Sequence, residues 1–218
     1  MARRAAELVQ DGSAVGLGTG HAASAFLVAL ADRVRRGLAV RCVATSRATE
    51  AAARDLGIPL VSLEDAGELD LDVDGADEID PALDLVKGYG GALVRERIVA
   101  AASRRLVILA GTDKLVTILG SRGVLPVEVV PFGWSWCARR LGELGCPPRR
   151  RMEGGAPFVT DNGNNILDCA VEPIADPGAL QRRIAAIPGV VGTGLFLGMA
   201  DAAFIEDERG NVTMRQRI

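Results

Sequence analysis

Short apolar runs alternate along this chain with segments of helical periodicity. The runs lack polar alternation and predict strands buried on both faces, at residues 14–17, 38–44, 58–61, 69–73 and 106–109. Apolar residues at intervals of three and four predict the intervening helices, at 22–34, 47–56 and 91–102. Strands that alternate with helices are typical of a parallel sheet covered on both faces, so this part of the chain predicts an α/β fold.

The pattern changes after Pro126. Strands are predicted at 127–130, near Phe158 and at 166–171, and helices at 134–144 and 177–186, which is the order expected of a ferredoxin-like α+β unit. Two last runs, 202–205 and 212–214, predict a hairpin that rejoins the first sheet. We therefore expect a Rossmann-like, mostly parallel sheet domain (1–127 plus 198–218) with a smaller α+β domain (128–197) inserted in it.

Composition and charge exclude several classes of partner. The 218 residues are 49% hydrophobic and 24% charged, as in ordinary globular proteins, and a net charge of −3 provides no basic field for nucleic acid. The uncharged stretch 13–31 contains Gly16, Gly18 and Gly20, so it predicts a strand, a turn and a helix and not a membrane span. We expect neither nucleic acid nor membrane as a partner.

Cysteine and histidine usage argues against a metal site. Four cysteines lie far apart without a CxxC pair, and His21 is the only histidine. This spacing excludes a zinc site of the usual kind, and the spacing and chain length argue against a disulfide framework. We expect free thiols, a cytoplasmic location and no metal.

Lysine is almost absent from the chain. Of 25 basic residues only Lys87 and Lys114 are lysine. Arginine replaces lysine well on a solvated surface, but not where a compact, mobile ammonium is needed. Both lysines are therefore candidates for a functional site.

A glycine-rich segment, GLGTG at 16–20, follows the first predicted strand and opens the first helix. Amide groups at a helix N-terminus bind anions, so the segment predicts a phosphate site. The same glycines fit a dinucleotide motif that ends at Ala23, but the next strand ends in Thr45 and Ser46 without the acidic residue that would hold a ribose. Close helix packing is a further alternative.

Two more segments place reactive side chains at the carboxyl ends of predicted strands. The turn DGADE at 74–78 could coordinate a metal, serve as acid and base, bind sugar hydroxyls or form a solvated cap. The loop KGYGG at 87–91 opens a helix that carries Glu96, a candidate base. Lys114 follows the strand at 106–109, so both lysines border the predicted ligand-binding edge.

Taken in order, these segments resemble type A ribose-5-phosphate isomerase. The resemblance covers nearly the whole chain and rests on GLGTG at 16–20, ATS at 44–46, DGADEID at 74–80, KGYGGALVRE at 87–96, GTDK at 111–114, LPVEVVPF at 125–132, DNGNNILD at 161–168 and GLF at 194–196. DGADEID and KGxGGALxRE at this spacing are specific motifs, whereas a single glycine motif is not.

The resemblance implies reversible interconversion of ribose 5-phosphate and ribulose 5-phosphate, a step of the non-oxidative pentose phosphate pathway, without metal or organic cofactor. It makes Glu96 the base that moves a proton between C2 and C1, with Asp74, Asp77 and Lys87 binding the sugar, assisting ring opening and stabilising negative charge. It also implies a homodimer or homotetramer. The substrate-binding residues that it implies are Thr19, Gly20, His21, Ala22, Gly75, Ala76, Gly88, Tyr89, Gly90 and Lys114.

The chain departs from the family pattern at a few positions. His21 and Ala22 stand where the family usually has Ser and Thr, Tyr89 where it has glycine, and Arg97 where it has lysine. For His21 a half-buried, hydrogen-bonded histidine and a phosphate contact are equal alternatives. Two other functions stay open: a sugar-phosphate sensor domain without catalysis, and an isomerase of another aldose phosphate.

Overall fold

The computed structural model of the protein describes residues 1–217. Its helices are α1 (Ala2–Glu7), α2 (His21–Arg35), α3 (Arg47–Asp55), α4 (Leu63–Ala66), α5 (Leu93–Ala101), α6 (Trp134–Glu143) and α7 (Pro177–Ala185). Its strands are β1 (Ala14–Leu17), β2 (Arg41–Ala44), β3 (Leu71–Gly75), β4 (Glu78–Ile79), β5 (Leu85–Val86), β6 (Leu106–Gly111), β7 (Val124–Val129), β8 (Pro148–Arg150), β9 (Met152–Glu153), β10 (Ala156–Pro157), β11 (Asn165–Ala170), β12 (Val190–Thr193), β13 (Leu195–Phe196), β14 (Ala202–Glu206) and β15 (Val212–Gln216). Short 3-10 helices span Thr112–Lys114 and Pro131–Gly133.

Backbone contacts divide the chain into two compact units. Unit 1 contains Met1–Ala76, Arg95–Lys114 and the chain from Met199 to the end of the described residues, and unit 2 contains Asp77–Val94 and Leu115–Gly198. The sequence-based boundaries at 127/128 and 197/198 place 77–94 and 115–127 in the first domain, whereas backbone contacts group these residues with unit 2. As a statement about separately folding domains, those boundaries stay a prediction.

Unit 1 is built on a six-stranded sheet in the order β15-β14-β6-β3-β1-β2. All neighbours are parallel except the edge pair β14 and β15, in which Phe204 lies opposite Met214. The predicted hairpin thus rejoins the first sheet, since β14 pairs with β6. The chain has the predicted α/β class, with antiparallel sheets in addition to this mostly parallel one.

Apolar side chains cover both faces of the unit 1 sheet. On one face Phe26 and Leu30 of α2 pack with strand residues such as Leu17 and Val73, all of them buried. On the other face Val99 of α5 packs with Ala14, Val43 and Leu69. Burial on both faces explains why these strands read as apolar runs without polar alternation.

Unit 2 contains an antiparallel sheet in the order β12-β7-β11-β8, on which α6 and α7 pack. Its element order, β7-α6-β8-β11-α7-β12, together with this strand order is the ferredoxin-like arrangement expected from the sequence. Its second strand is β8, however, and not the strand predicted near Phe158, where β10 pairs with β9 outside this sheet. The hairpin β9–β10 lies between β8 and β11 in the chain, and β13-β5-β4 form a small separate sheet. The buried core includes Leu125, Val127, Leu141, Leu167 and Ile184.

Two of the predicted strands are shorter than expected. Residues 38–40 precede β2, which begins only at Arg41, and the run 58–61 makes a single parallel bridge from Leu60 to Cys42. At this sheet edge the apolar residues still pack, as Ile58 does in the core, but the ladder is too short for a strand. Apolar character marks burial here and not backbone pairing.

Among the described residues, no helix combines the length and the apolar character that a membrane crossing requires.

Candidate functional site

The residues singled out from the sequence divide between the two units. Unit 1 holds Thr19, Gly20, His21, Ala22, Asp74, Gly75, Ala76, Glu96 and Lys114, whereas unit 2 holds Asp77, Lys87, Gly88, Tyr89 and Gly90. Each set is described within its own unit.

Asp74 lies at the carboxyl end of β3 and is fully buried. One carboxylate oxygen, Oδ1, accepts hydrogen bonds from the amide of Thr19 at 3.0 Å and from that of Gly75 at 2.7 Å. Because the bonds come from backbone donors on two different segments, they fix the carboxylate and the glycine loop relative to each other. The GLGTG loop and the DGADE turn are thus in direct contact in unit 1.

The second glycine of the GLGTG loop has a steric role. A Cβ on Gly18 would lie 2.2 Å from Oδ1 of Asp74 and 2.5 Å from its Cα, so no side chain fits between the loop and β3. A Cβ on Gly16 would lie 2.6 Å from Oδ1 of Asp72. Close packing therefore explains both glycines. The neighbour of Gly18 is β3, whereas a Cβ on Gly16 would meet β3 and also helix α5, with Cγ1 of Val99 at 2.6 Å, so helix packing accounts for Gly16 in part.

The loop then enters α2 at a free helix N-terminus. Gly20 is the N-cap with φ at 104°, and it provides no side-chain cap. His21 and Ala22 form the first turn, in which His21 is exposed, so the half-buried alternative for this histidine is wrong. A Cβ on Gly75 would lie 3.9 Å both from Cβ of Ala22 and from the carbonyl oxygen of Thr19, which places the three residues side by side. The first-turn amides can bind an anion.

Four hydroxyl groups hold this loop. The sequence made Thr19 a substrate-binding residue and assigned no role to the hydroxyls of Thr45, Ser46 and Thr49. Thr19 Oγ1 donates to Ser46 Oγ at 2.9 Å, Ser46 Oγ donates to Thr49 Oγ1 at 3.0 Å, and Thr49 Oγ1 donates to the carbonyl of Gly18 at 3.0 Å. Thr45 Oγ1 donates to the carbonyl of Leu17 at 3.0 Å and lies 2.8 Å from Thr19 Oγ1. The hydroxyl proton of Thr19 is therefore used within the protein. In the sequence, the ATS motif at 44–46 was the signal that could have indicated this hydroxyl cluster.

Glu96 lies in the first turn of α5 and is only 4% exposed. A buried carboxylate is uncommon because its charge loses hydration, so such a group usually serves structure or chemistry. The neighbouring Arg97 is partly buried, and this burial lowers its pKa to about 10. Its guanidinium lies 3.8 Å from the sulfur of Met199.

Lys114 ends the 3-10 helix that follows β6 and keeps a third of its side chain exposed. Its ammonium lies 3.5 Å from a carboxylate oxygen of Asp113. A partly exposed ammonium at the carboxyl end of a parallel strand is suited to hold an anion, as expected for a phosphate anchor.

In unit 2, Asp77 contacts the KGYGG loop at 87–91. Asp77 Oδ2 accepts a hydrogen bond from the amide of Tyr89 at 3.0 Å. Lys87 is 3% exposed, its amide donates to the carbonyl of Gly194, and its ammonium lies 5.6 Å from the ring centroid of Phe196. The structure thus joins Asp77 to the loop that contains Lys87.

Tyr89 lies at the tip of this loop and is 38% exposed. Its hydroxyl donates to the carbonyl of Val124 at 3.2 Å. Burial of the ring, followed by the negative charges of Glu78 and Asp77, raises the pKa of the phenol to about 12. The phenol is therefore a neutral hydrogen-bond donor at neutral pH.

The third carboxylate of the acidic turn has a structural role. Glu78 is fully buried, and its two oxygens accept hydrogen bonds from the amides of Gly120 at 2.6 Å and Arg122 at 2.7 Å. Within residues 1–217, no group of three or more His, Cys, Asp or Glu side chains is arranged to hold a metal ion. Because both oxygens of Glu78 already accept hydrogen bonds from backbone amides, this carboxylate stabilises the fold and is not available to a ligand.

These side chains provide a defined set of chemical groups. Unit 1 presents a buried glutamate, a carboxylate fixed by amides, a free helix N-terminus and an ammonium; unit 2 presents a second carboxylate, a buried ammonium and a glycine loop. Proton transfer next to a carbonyl needs a base, donors for the oxyanion and, for a phosphorylated substrate, an anion anchor.

Comparison with known proteins identifies relatives along the whole chain. The family model for ribose 5-phosphate isomerase A (phosphoriboisomerase A) matches residues 41–210. A ribose-5-phosphate isomerase A from Roseiflexus sp. (strain RS-1) is 54% identical over 216 residues, which are 98% of this chain and 93% of that relative.

Solved structures agree with the sequence match. The ribose 5-phosphate isomerase from Plasmodium falciparum is 39% identical with a TM-score of 0.95, over 99% of this chain and 95% of that one. A D-ribose-5-phosphate isomerase in complex with phospho-erythronic acid is 33% identical with a TM-score of 0.95, over 99% of this chain and 96% of that one.

Proposed function

The chain belongs to the ribose 5-phosphate isomerase A family, and from this premise we propose that it interconverts ribose 5-phosphate and ribulose 5-phosphate with Glu96 as the base. The activity is an aldose–ketose isomerisation that passes through an enediolate. The family match over residues 41–210 is the observation that carries this conclusion.

Glu96 performs the proton transfer. Its carboxylate removes the proton from C2 of the open-chain aldose, and the electron pair left behind forms the C1–C2 double bond while negative charge moves onto O1. The hydroxyl proton of O2 passes to O1, and return of the carried proton to C1 then gives the ketose, with its carbonyl at C2 and a hydroxyl on C1. The burial of Glu96 supports this role, because a base withdrawn from water can keep the proton while the enediolate persists.

Asp74, Asp77 and Lys87 bind the sugar, assist ring opening and stabilise the developing negative charge. Asp74 and Asp77 are both fixed by backbone amides, so each carboxylate is already oriented before substrate arrives. The ammonium of Lys87 is nearly excluded from solvent, and a positive charge acts more strongly on an oxyanion where water is excluded.

Backbone groups and Lys114 hold the rest of the substrate. The free N-terminus of α2 at Gly20, His21 and Ala22 binds the phosphate together with Lys114. Thr19 donates its amide and hydroxyl protons within unit 1, so its part is to hold the loop that leads into this terminus. The substrate-binding residues Gly75, Ala76, Gly88, Tyr89 and Gly90 contribute chiefly through their main chain. A phosphorylated pentose is the partner of this site, and we expect the protein to act in the cytoplasm as a homodimer or homotetramer.

Replacement of Glu96 by glutamine tests the proposal. Glu96→Gln keeps shape and hydrogen-bonding reach but cannot accept a proton, so kcat should fall on the order of a hundredfold or more. Phospho-erythronic acid, the ligand of one solved relative, should bind with nearly unchanged affinity in calorimetry. Glu50→Gln is the matched control, because Glu50 also lies in the first turn of a helix, and it should keep full turnover. Turnover near that of the parent in Glu96→Gln would refute the role of Glu96.

A second candidate is an isomerase of another aldose phosphate. His21 and Ala22 favour it, because they lie at the proposed phosphate end and replace two hydroxyl residues of the family pattern. A panel of phosphorylated pentoses and hexoses decides between the two: the largest kcat/KM for ribose 5-phosphate supports the first, and a larger value for another sugar supports the second.

A further inference from the structure

Arg151 is anchored by a carboxylate and contacts the KGYGG loop directly. Its guanidinium forms a bidentate pair with Asp168, with Nε at 2.9 Å from Oδ2 and Nη2 at 2.5 Å from Oδ1. The remaining nitrogen, Nη1, donates to the carbonyl of Gly88 at 3.0 Å and to that of Tyr89 at 3.1 Å. The side chains of Arg151 and Asp168 are only 16% and 27% exposed, so this is not an ordinary surface ion pair.

The backbone of unit 2 fixes the position of the anchor. Asp168 lies in β11 opposite Arg149, and the amide of Arg151 donates to the carbonyl of Ile166 at 2.9 Å. The carbonyl of Arg151 in turn accepts from the amide of Phe158 at 3.0 Å. Arg151 therefore extends from a rigid sheet to the loop.

Peptide geometry transmits this contact to Asp77. A trans peptide directs its C=O and its N–H to opposite sides. Since the carbonyl of Gly88 faces Arg151, the amide of Tyr89 faces away from it, and that amide donates to Asp77 Oδ2 at 3.0 Å. One peptide unit is thus held at both ends, by Arg151 and by Asp77.

The loop needs such an external constraint because its own sequence is permissive. Gly88 and Gly91 have positive φ values of 106° and 84°, and glycine peptides change orientation at little steric cost. The far end is limited by Phe158, since a Cβ on Gly91 would lie 2.5 Å from its Cζ. The middle of the loop is contacted by Arg151.

We propose that Arg151, oriented by Asp168, is a positioning residue that fixes the peptide between Gly88 and Tyr89 and thereby orients Asp77 for the isomerisation. The inference rests on the proposed function, which assigns the loop and Asp77 to the substrate. The planar fork of arginine is required, because the single ammonium of a lysine cannot pair with both carboxylate oxygens and reach two carbonyls at once.

Arg151→Lys is the main test, and Arg150→Lys is its matched control. Arg150 is the adjacent residue and has its own partners, Asn165 Oδ1 at 2.8 Å and the Trp134 ring at 4.6 Å from its guanidinium carbon. Its replacement therefore makes the same chemical change at the neighbouring position, the last residue of β8, without removing a contact of Arg151. Tyr89 is the single tyrosine, and labelling with 15N-tyrosine therefore gives one backbone amide resonance, that of the donor to Asp77.

We expect Arg151→Lys to lower kcat about tenfold or more and to shift the Tyr89 amide resonance, because small misplacements of reacting groups have large effects on rate. Arg150→Lys should leave both unchanged. In Arg151→Ala, guanidinium ion at tens of millimolar should restore part of kcat, whereas equal sodium chloride should not. If Arg151→Ala does not fold, Asp168→Asn is the substitute. It should lower kcat and shift the Tyr89 amide resonance in the same direction as Arg151→Lys, but by smaller amounts.

Several results would overturn the inference. Arg151 would be a purely structural residue if kcat of Arg151→Lys stayed within about twofold of the parent, or if the Tyr89 resonance did not move. The same would follow if Arg150→Lys lost as much kcat as Arg151→Lys and both losses paralleled a lower melting temperature. Lys87→Ala, measured in the same assay, separates this failure from that of the proposed function. If Lys87→Ala keeps full turnover, the loop has no role in the reaction and both ideas fail; if it loses turnover while Arg151→Lys does not, only the positioning role fails.

Discussion

Tyr89 shows how one substitution relative to the family pattern is accommodated. Its ring is partly buried, and its hydroxyl bonds to the carbonyl of Val124. Its amide, which any residue would supply, is the group that contacts Asp77. The replacement of a glycine at this position is therefore compatible with the same main-chain arrangement of the loop.

Titration of the single tyrosine tests this environment. A free phenol ionises near pH 10, and the folded protein raises the pKa of Tyr89 to about 12. Between these values the unfolded chain has lost a proton that the native state keeps, so stability should fall as pH rises from 10 to 12. At pH 11 the native protein should show almost no phenolate absorbance, and unfolding in urea should produce it. A native midpoint near pH 10 would mean that the ring is solvated, and Tyr89→Phe should remove this component of the pH dependence.

At the residue scale the sequence predicted the candidate groups better than their contacts. Lys87 and Glu96 were singled out because of their motifs, and both are buried. Glu78 could not be separated from Asp74 and Asp77 by sequence, because its partners are amides of residues 120 and 122, far along the chain. The hydroxyl cluster around Thr19 was also missed, since threonine and serine positions carry no periodic signal.

At the scale of elements, the glycine loop and β3 depend on close contact. Gly18 lies against Asp74, and the same carboxylate accepts the amide of Thr19. Ser46 and Thr49 at the start of α3 also hold the loop, since Thr49 Oγ1 donates to the carbonyl of Gly18. The loop geometry is thus determined by tertiary contacts, and the sequence could predict a phosphate loop but not what holds it.

Gly18→Ala should damage both stability and activity. The new Cβ would lie within 2.5 Å of the Cα of Asp74, so the loop must move. This movement weakens the hydrogen bonds that the amides of Thr19 and Gly75 donate to the Asp74 carboxylate. Overpacking of this kind costs about 1–3 kcal/mol of unfolding free energy, measured by urea denaturation. KM should rise and kcat should fall. Gly142→Ala in α6 is the control, because nothing lies within 4 Å of the added Cβ, and it should instead stabilise by about 0.5–1 kcal/mol. Parent-like stability of Gly18→Ala would contradict the steric argument.

At the scale of the whole molecule, the strongest sequence signals were the apolar runs. They identified β1, β3 and β6 and the ferredoxin-like order of unit 2, because burial on both faces and the alternation of elements determine those patterns. Helices α1 and α4 went unpredicted since both are short, and so did β8 and β9, which have three and two residues; the strand predicted near Phe158 corresponds to the two-residue β10. Such elements depend on tertiary packing more than on local propensity.

Solvent deuterium incorporation tests the central claim, that Glu96 carries the proton between C2 and C1. When ribose 5-phosphate is equilibrated with the enzyme in heavy water over many turnovers, NMR should show deuterium at C1 of ribulose 5-phosphate and at C2 of ribose 5-phosphate. A proton held on a carboxylate exchanges with solvent, so even slow exchange accumulates over repeated cycles. Glu96→Gln should abolish both turnover and incorporation. Full equilibration of the two sugars without deuterium at either carbon would indicate a hydride shift and contradict the role of Glu96.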